Sequence, residues 1–512
     1  MQEFFKSLTE INDAVNSFVW VKIGLVLLLG TGILMTVLTR FFQVSHLKHW
    51  WKNTIGSLFK KGSSSKKKVD KKSISQFQAL CTALAATIGT GNIAGVSAAI
   101  VVGGPGAVFW MWIAAFFGMM TNYSENVLGI FYRRKNQKGE WCGGPMYYLQ
   151  DGLGSRNHCK GLGKVLAVIF SLFAILASFG IGNMGQINKI TLNIQSAFFS
   201  SADGVKIFGF PVAAVVIGAV LMVVAALIIL GGLQRIAAVA ERVVPFMAVL
   251  YIIGCIVVFC VHIQNVGAMF AAIFKFAFGV KAVGGAATGI LIKTVITQGF
   301  KRGVFSNEAG LGSSVMVHSS SNTREPVMQG MWGIFEVFFD TFIVCTMTAI
   351  VVLSSGAIDL NTGLAAEGTN DATLVAQAFG NVFGKGGEIF VALALLLFAF
   401  TTVLGWSQYG TIAAGYLFGA KASIVYRVIF VLMIMSGALM TSSLAWDISD
   451  TFNGLMMIPN LIGVIALCPL VARITKNYVS RKIKGDGTEE ALLSYHADIQ
   501  AESEAIVAAE SE

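Results

Sequence analysis

Two interrupted apolar stretches hold the residues whose types and spacing best suit the binding of small charged groups. Residues 79–100 read ALCTALAATIGTGNIAGVSAAI, an apolar run about as long as one membrane crossing that contains Gly89, Gly91 and Gly95. In hydrocarbon, the backbone N–H and C=O groups that such a break releases need partners in protein, in an ion or in a ligand. The break is therefore predicted to be a binding site.

The same pattern returns about 215 residues later along the chain. Residues 303–314 read GVFSNEAGLGSS, and their NEAG at 307–310 matches the NIAG at 92–95. Interrupted segments at corresponding positions of two halves indicate the central site of a secondary transporter. A glycine motif used only for packing would not explain the repeated asparagine. A dinucleotide fingerprint would need a βαβ unit, whereas the flanks here are apolar over about a membrane thickness.

Composition places these segments in a membrane. Hydrophobic residues make up 55% of the 512 residues and charged residues 12%, with a mean hydropathy of +0.72, whereas about a quarter of a soluble domain is charged. The net charge of +10 is unevenly placed along the chain, and no nucleic-acid partner is expected. The cysteines and histidines lack metal-ligand or disulfide spacing. Because no catalytic constellation emerges either, an enzyme is not expected.

Apolar runs of about 20 residues predict an all-α integral membrane protein with about 11 transmembrane helices. The predicted spans are roughly 18–41, 75–101, 105–132, 163–198, 211–232, 243–262, 285–317, 326–354, 386–418, 422–444 and 450–474. The first run has no cleavage site after it and is predicted to be a retained helix. The predicted divisions are 1–42 (extra N-terminal helix), 43–74 (basic linker), 75–262 and 263–475 (two five-helix repeats) and 476–512 (polar tail).

Charge in the loops predicts the orientation of the chain. Residues 60–72 carry seven lysines and one acid, and placing them in the cytoplasm puts 27 of the 37 Lys and Arg residues on cytoplasmic loops. The N-terminus is then outside and the C-terminus inside the cytoplasmic (inner) membrane of a bacterium. The acidic segment around Glu367 and Asp371 lies outside, and the Glu-rich end at 486–512 is expected to be partly disordered.

The two groups of five spans can be laid over each other. Pro105 and Pro326 open the span after each break, and GIGNMG at 180–185 corresponds to GWSQYG at 405–410. An odd number of spans per half makes the two halves enter the membrane from opposite sides. The pattern therefore predicts a five-plus-five inverted repeat with a broken first helix in each half.

Four motifs together resemble the alanine or glycine:cation symporter family of bacterial amino-acid carriers, over roughly residues 18–475. They are GTGNIAGV at 89–96, NYSENVLGIFYRRK at 122–135, GGPMYYLQDGLG at 143–154 and GVFSNEAGLGSS at 303–314. The resemblance implies a leucine-transporter-like fold and sodium-coupled uptake of small neutral amino acids by alternating access. A proton-coupled or glutamine-preferring carrier of the same fold is the alternative. A channel or facilitator is disfavoured because polar residues cluster at the breaks and not along a pore.

A zwitterionic substrate needs amide donors for its carboxylate and neutral oxygens for its ammonium. The first break offers donors near a half-helix N-terminus, and carbonyls of the second break would accept from the ammonium. A side-chain amide and an indole at matching depth would complete the site, although an interhelical hydrogen bond and plain packing are the alternatives for these two. The predicted substrate-binding residues are Thr90, Gly91, Gln186, Phe305, Ser306, Asn307 and Trp406.

Sodium prefers five or six hard oxygen ligands, which carbonyls, amides and hydroxyls can supply. Thr401 and Thr402 resemble the hydroxyl pair of the sodium site in leucine-transporter-like folds. A lone buried threonine usually bonds to its own helix, but an adjacent pair opposite the break indicates more. The predicted sodium ligands are Ala85, Ile88, Asn92, Thr401 and Thr402, with Asp340 as a further candidate and Asn92 assigned to a second ion.

Intramembrane ionisable residues are functional by default, and Asp340 is the most costly one in the sequence. It could bind a cation, carry a proton, or pair with Lys293 or Lys189. Glu308, beside the second break, is open to the same interpretations, and the basic pair at 301–302 is expected in a wet vestibule.

The stretch 143–154 could be an interfacial helix, a gate or a packed loop. The partners expected are the amino acid and the lipid bilayer, and a monomer is compatible with the sequence. Choice among alanine, glycine, serine and glutamine depends on the shape of the pocket, which a sequence does not give.

Overall fold

The computed structural model describes residues 2–59, 73–136, 139–156, 158–199, 206–207, 209–278, 292–365, 371–440, 444–485 and 490–509. The lysine-rich stretch at 60–72 and Glu367 lie outside these described residues. Helices dominate the described chain, and its strands form two short antiparallel hairpins. The all-α membrane fold expected from the sequence is confirmed, together with its leucine-transporter-like form, by the comparisons reported below.

The main helices are numbered in chain order. They are α1 (Thr9–Leu38), α2 (Gln76–Thr87), α3 (Gly91–Gly103), α4 (Gly106–Phe131), α5 (Lys160–Phe198), α6 (Val212–Ile229), α7 (Leu233–Val261), α8 (Val266–Phe278), α9 (Ile292–Asn307), α10 (Ser314–His318), α11 (Pro326–Ser354), α12 (Asp371–Phe383), α13 (Lys385–Phe418), α14 (Ala420–Leu439), α15 (Leu444–Ala466), α16 (Cys468–Tyr478) and α17 (Ala497–Ala509).

Shorter elements connect these helices. The short helices are Phe42–Ser45, Leu47–Asn53, Ile55–Leu58, Pro145–Tyr147, Tyr148–Leu153, Ile263–Asn265 and Val479–Lys484. The strands are β1 (Arg134–Lys135) with β2 (Trp141–Cys142), and β3 (Lys206–Ile207) with β4 (Phe210–Pro211).

Among the described residues, eight helices are long and apolar enough to cross a membrane, or nine when α2 and α3 count as one span bent by 55°. The count of 11 spans, the inverted repeat and the five divisions of the chain therefore remain predictions. The second predicted interruption is seen in part, because α9 ends at Asn307 and α10 begins at Ser314, while residues 279–291 are not described.

Glycines let the helices that surround the first break approach one another closely. A Cβ on Gly405 of α13 would lie 2.8 Å from the Ala86 backbone nitrogen on α2, and a Cβ on Gly182 of α5 would lie 2.4 Å from Cβ of Trp406. On the other side, α4 packs against α9 and α11. The first break therefore lies between α5 and α13 on one side and the α4, α9 and α11 group on the other.

The two ends of the helix bundle differ. One end, which we call the hairpin end, carries the β1–β2 hairpin, the 42–58 helices and α17, and His49 there hydrogen-bonds Tyr478 (3.1 Å). The opposite end carries the early part of α1, whose Trp20 Nε1 donates to the Asp450 carbonyl on α15 (3.3 Å). Helix α1 thus packs with one side against α4 and α15.

The C-terminal segment is described over residues 490–509, within the stretch 486–512 that was expected to be partly disordered. These residues form a loop followed by α17, and Tyr495 N donates to the Phe131 carbonyl at the end of α4 (2.9 Å). Glu502 on α17 forms ion pairs with Lys135 (2.9 Å) and Arg324 (3.0 Å). Specific partners at the hairpin end thus hold residues 490–509 despite their low hydrophobicity, and partial disorder of the stretch 486–512 stays a prediction.

The stretch 143–154 is a packed helical segment. Tyr148 and Leu149 are fully buried, and the Tyr148 hydroxyl donates to Oδ1 of Asn460 on α15. Of the three alternatives drawn from the sequence, burial favours internal packing over an interfacial helix.

Candidate functional site

The first break is held open by a side chain that replaces a helical hydrogen bond. Helix α2 ends at Thr87, and Ile88 is extended (φ −78°, ψ 92°). The Gly89 N–H, which would reach the Ala85 carbonyl in a continuous helix, donates instead to Asn92 Oδ1 (2.9 Å). The break thus frees the Ala85 carbonyl from its helical donor, in line with the expectation that broken helices expose backbone ligands.

Glycine is required at the break because other elements approach the backbone there. A Cβ on Gly89 would lie 2.4 Å from Thr402 Oγ1, and a Cβ on Gly91 would lie 3.2 Å from Phe305 Cδ1. The two predicted breaks and the middle of α13 therefore meet at one point in the protein.

A small cavity lies at this meeting point. Its volume is about 20 Å³, close to what one water molecule needs, so the site is closed around its centre. The lining residues are Ala86, Thr87, Gly89, Gly91, Ile181, Gln186, Phe305, Glu308, Thr402, Trp406 and Asn453.

Four of the seven predicted substrate residues line the cavity, namely Gly91, Gln186, Phe305 and Trp406. Thr90 lies next to it, with a buried hydroxyl that has no hydrogen-bond partner within the part of the chain that the structure describes. Sequence reasoning did not assign Ile181 or Asn453: on α5 it singled out only Gln186, and only the fold brings α15 to the break.

The side chain of Gln186 connects α5 to the break. Its Oε1 accepts from Thr90 N at 3.4 Å, and its Nε2 donates to the Ile181 carbonyl at 3.1 Å. Gln186 therefore makes the interhelical hydrogen bond considered from the sequence and also lines the cavity.

The adjacent threonines of α13 point in different directions. Thr402 Oγ1 lies 3.4 Å from the Ile88 carbonyl oxygen and 3.0 Å from that of Phe398. Thr401 Oγ1 bonds carbonyls of its own helix and lies 3.5 Å from Met247 Sδ on α7. Only Thr402 contacts the break in this conformation.

A second polar cluster surrounds Asp340 on α11. Asn92 Nδ2 donates to Oδ1 (2.6 Å), while Ser306 Oγ (2.9 Å) and Thr341 Oγ1 (2.9 Å) donate to Oδ2. Asn307 joins this group through Thr341 Oγ1 (3.0 Å). The side chains of Ser306 and Asn307, predicted to be near the substrate, therefore turn towards Asp340 and away from the cavity.

Asp340 has no basic partner among the residues that the structure describes. The ion pairs found there do not include it, and Lys293 is exposed. The structure thus does not bring Lys293 or Lys189 to this acid. The described part of the chain contains no group of three or more His, Cys, Asp or Glu side chains suited to a metal ion. Neutral oxygens would therefore supply most ligands of a cation near Asp340.

Glu308 and Trp406 form a bonded pair at the cavity. Trp406 Nε1 donates to Glu308 Oε1 (2.9 Å), and Ser313 Oγ donates to Oε2 (2.5 Å). Glu308 is buried and adopts a left-handed conformation (φ +56°) directly after α9 ends. Trp406 therefore does more than pack, because it orients a carboxylate in the cavity wall.

An ion pair lies one helical turn from the cavity, towards the end opposite the hairpin. Lys301 Nζ on α9 is 2.8 Å from Asp450 Oδ2 on α15, and Asn16 of α1 bonds both side chains (3.2 and 2.9 Å). Phe305 and Asn453, each one turn further along the same helices, line the cavity. The wet vestibule expected at 301–302 remains a prediction, and the pairing of Lys301 with Asp450 was not predicted, since Asp450 is distant in sequence.

Known proteins resemble this chain along most of its length. A family model described as the sodium:alanine symporter family matches residues 5–491. A sodium/alanine symporter, AgcS, of Methanococcus maripaludis is 44% identical over 469 residues, which is 91% of this chain and 96% of the relative. A probable sodium/glutamine symporter, GlnT, of Bacillus subtilis is 36% identical and covers 93% of this chain and 92% of its own length.

A further relative is the putative sodium/proton-dependent alanine carrier YrbD of Bacillus subtilis, 35% identical over 92% of this chain and 93% of its own. Among solved structures, the crystal structure of MhsT in complex with L-phenylalanine matches with a TM-score of 0.51 at 16% identity, over 80% of this chain and 99% of that one. At that identity the likeness shows the fold alone.

Proposed function

This chain belongs to the sodium:alanine symporter family and is a sodium-coupled amino-acid symporter; we propose that it carries small neutral amino acids of the alanine or glycine class. It is a transporter and not an enzyme, as the sequence predicted, and sodium is its coupling ion, with a proton as the alternative. The observation that carries the proposal is the contact between Thr402 and the first break at a small closed cavity.

The substrate carboxylate is proposed to bind the backbone amides of Thr90 and Gly91. Thr90 N donates a long hydrogen bond to Gln186 (3.4 Å), so a carboxylate can replace that acceptor with a stronger one. Gly91 begins a new helical segment, and its amide therefore belongs to a helix start that favours negative charge. Phe305 and Trp406 limit the space for the side chain, which suits alanine and glycine.

One sodium ion is proposed to bind between α13 and the break. The Thr402 hydroxyl and the carbonyls of Ala85 and Ile88 are hard oxygens on two separate elements, and such neutral ligands avoid the cost of a buried unpaired charge. Thr401 would join this ion only after a rotation of its side chain, because its hydroxyl faces Met247.

A second ion is proposed at Asn92 and Asp340. Asn92 bonds both the break, through Gly89 N, and the carboxylate of Asp340. A sodium ion there would offset the negative charge of an acid that has Ser306 and Thr341 as its other partners. A proton on Asp340 is the alternative, and it corresponds to the proton-coupled reading of the family.

Transport is proposed to follow alternating access in an inverted-repeat fold of the cytoplasmic membrane. The hairpin end would face the cytoplasm, because the loops assigned there carry 27 of the 37 Lys and Arg residues. The Lys301–Asp450 pair would then close the outer side of the cavity. With this orientation, the N-terminus would lie outside the cell and the C-terminus in the cytoplasm. A monomer would suffice for this mechanism.

The experiment is uptake of labelled alanine into proteoliposomes that contain the purified protein. An inward sodium gradient should drive accumulation above equilibrium, and unlabelled glycine and serine should compete. Accumulation of glutamine in preference to alanine would favour the substrate of the Bacillus relative. Uptake that never exceeds equilibration under any sodium or proton gradient would contradict symport and favour a facilitator.

A further inference from the structure

Glu308 is a buried carboxylate without a basic partner. It is 3% exposed, and no Lys, Arg or His pairs with it among the residues that the structure describes. An isolated buried charge is strongly unfavourable unless a counter-charge is supplied. Because the protein does not supply one nearby, a cationic group that arrives with the ligand is the natural partner.

The backbone at Glu308 is held in an unusual conformation. Its φ of +56° is uncommon for a residue with a long side chain, and such strain concentrates at binding sites. Glu308 N still bonds the Val304 carbonyl (2.8 Å), and the Glu308 carbonyl accepts from Leu311 N (3.0 Å). The left-handed residue thus ends α9 and places the carboxylate in the cavity wall.

Hydrogen bonds orient this carboxylate without saturating it. Each oxygen accepts from one side chain, Trp406 at Oε1 and Ser313 at Oε2, although a carboxylate offers about four acceptor positions. Asp340, by contrast, receives four side-chain hydrogen bonds from oxygen and nitrogen donors and does not line the cavity. Glu308 is the one acid among the cavity-lining residues.

We propose that Glu308 accepts the ammonium group of the substrate and so selects primary α-amino acids over acids that lack an ammonium. The inference rests on the proposed function, in which the substrate carboxylate binds the first break. Gly89 and Gly91 lie in the same cavity wall as Glu308, so both groups face one cavity, which must widen beyond its volume of about 20 Å³ to admit an amino acid. One sodium ion, one ionised Glu308 and a zwitterion sum to zero charge, which favours their joint burial.

This assignment changes the expected chemistry at the second break. Carbonyls at 305–307 were expected to bind the ammonium, whereas an ionised carboxylate binds an ammonium more strongly than a carbonyl does. Propionate and lactate share the carboxylate and the size of alanine but have no ammonium. They should therefore bind the wild-type protein far more weakly than alanine does, and Glu308 should account for most of that difference.

The test measures binding of labelled alanine to the full-length protein in saturating sodium, with propionate and lactate as competitors. Glu308→Gln should lower alanine affinity at least tenfold and, because it removes a negative charge, should not lower the weak propionate affinity, so the alanine-to-propionate ratio falls at least tenfold. Glu308→Asp should restore part of the ratio. Glu336→Gln, which changes a buried acid outside the cavity wall, is the matched control and should leave the ratio unchanged.

Ser313→Ala provides a milder second variant in case Glu308→Gln does not fold. It removes one hydrogen-bond donor to the Glu308 carboxylate, and the alanine-to-propionate affinity ratio should fall several-fold. An unchanged ratio in whichever of these two variants folds would overturn the assignment, as would a loss of sodium affinity with the ratio intact, which would make Glu308 a sodium ligand. A wild-type protein that binds no amino acid in sodium would instead contradict the proposed function.

Discussion

The hydroxyl oxygen of Thr402 lies 3.4 Å from the carbonyl oxygen of Ile88, the residue directly after the end of α2. Thr402 belongs to a continuous helix and Ile88 to a broken one. Residue 89 must be glycine for the two atoms to approach, because a Cβ there would clash with the Thr402 hydroxyl. A cation held between them would connect two elements that are otherwise joined by packing. The sodium dependence of substrate binding is proposed to originate there.

The break itself can be tested with a bulky side chain. Gly91→Leu should abolish alanine binding, because even a Cβ would lie 3.2 Å from the Phe305 ring and a leucine would fill the small cavity. The measurement is alanine binding to purified protein, after insertion is verified. Gly267→Leu is the control, since that glycine has open space beside it. Normal affinity in Gly91→Leu would remove the break from the substrate site.

Asp340→Asn tests the proposed second cation. The amide keeps the size of the side chain but removes its charge, so a sodium ion bound at Asn92 and Asp340 should be lost. We expect a shallower sodium dependence of alanine uptake and sodium affinity lowered about tenfold, equivalent to about 1.4 kcal/mol. If the sodium curve is unchanged while the pH dependence of uptake disappears, Asp340 carries a proton instead.

The Lys301–Asp450 pair is expected to close the cavity on the side opposite the hairpin end. In a cysteine-free background, Phe305→Cys should react faster with an impermeant thiol reagent from that side when Lys301→Gln or Asp450→Asn is present. Exchanging the two charges should restore slow labelling. Arg481→Gln, which breaks an ion pair with Glu325 at the hairpin end, should have no effect. Equal labelling rates throughout would contradict a gate.

The attachment of α17 should depend on charge. Hydrogen bonding from Lys135 holds the pKa of the Glu502 carboxyl below its usual range. The stabilisation that the ionised Glu502 carboxylate gives to the attachment of α17 is therefore complete above the ordinary glutamate pKa of about 4.3. It is lost only as pH falls below that value. Glu502→Gln should speed hydrogen–deuterium exchange of residues 490–509 near neutral pH, whereas Glu504→Gln, whose partner Gln500 is in the same helix, should not. Identical exchange in both would contradict the attachment.

The sequence predicted the elements of the site better than the orientation of its side chains. The repeated NIAG and NEAG motifs pointed to the first break and to the end of α9, because packing alone does not explain a glycine motif that returns with the same asparagine. Thr401 and Thr402 were predicted together, but neighbouring residues of a helix differ by about 100° in direction, so only one faces the break. Likewise, Phe305 faces the cavity, whereas Ser306 and Asn307, which follow it on α9, face the Asp340 cluster.

Two further features could not be predicted because they depend on distant parts of the chain. Asp450 meets Lys301 only after α9, α15 and α1 have packed together. The stretch 486–512 was expected to be partly disordered from its composition, which does not show that residues 490–509 have partners on α4 and on the loop before α11. Local patterns contain no information about such pairings.

The most direct test of the account is alanine binding measured across a sodium titration in wild type, Thr402→Val and Thr401→Val. Valine keeps the shape of threonine and removes one oxygen, so packing should survive in both variants. Because coupling between two ligands is reciprocal and typically amounts to about 1–3 kcal/mol, wild-type alanine affinity should rise roughly 5- to 150-fold with sodium.

We predict that Thr402→Val loses most of this sodium dependence, while Thr401→Val, whose hydroxyl bonds its own helix and faces Met247, keeps most of it. A Thr402→Val protein whose alanine affinity responds to sodium as the wild type does would contradict a coupling ion at the Thr402–Ile88 contact.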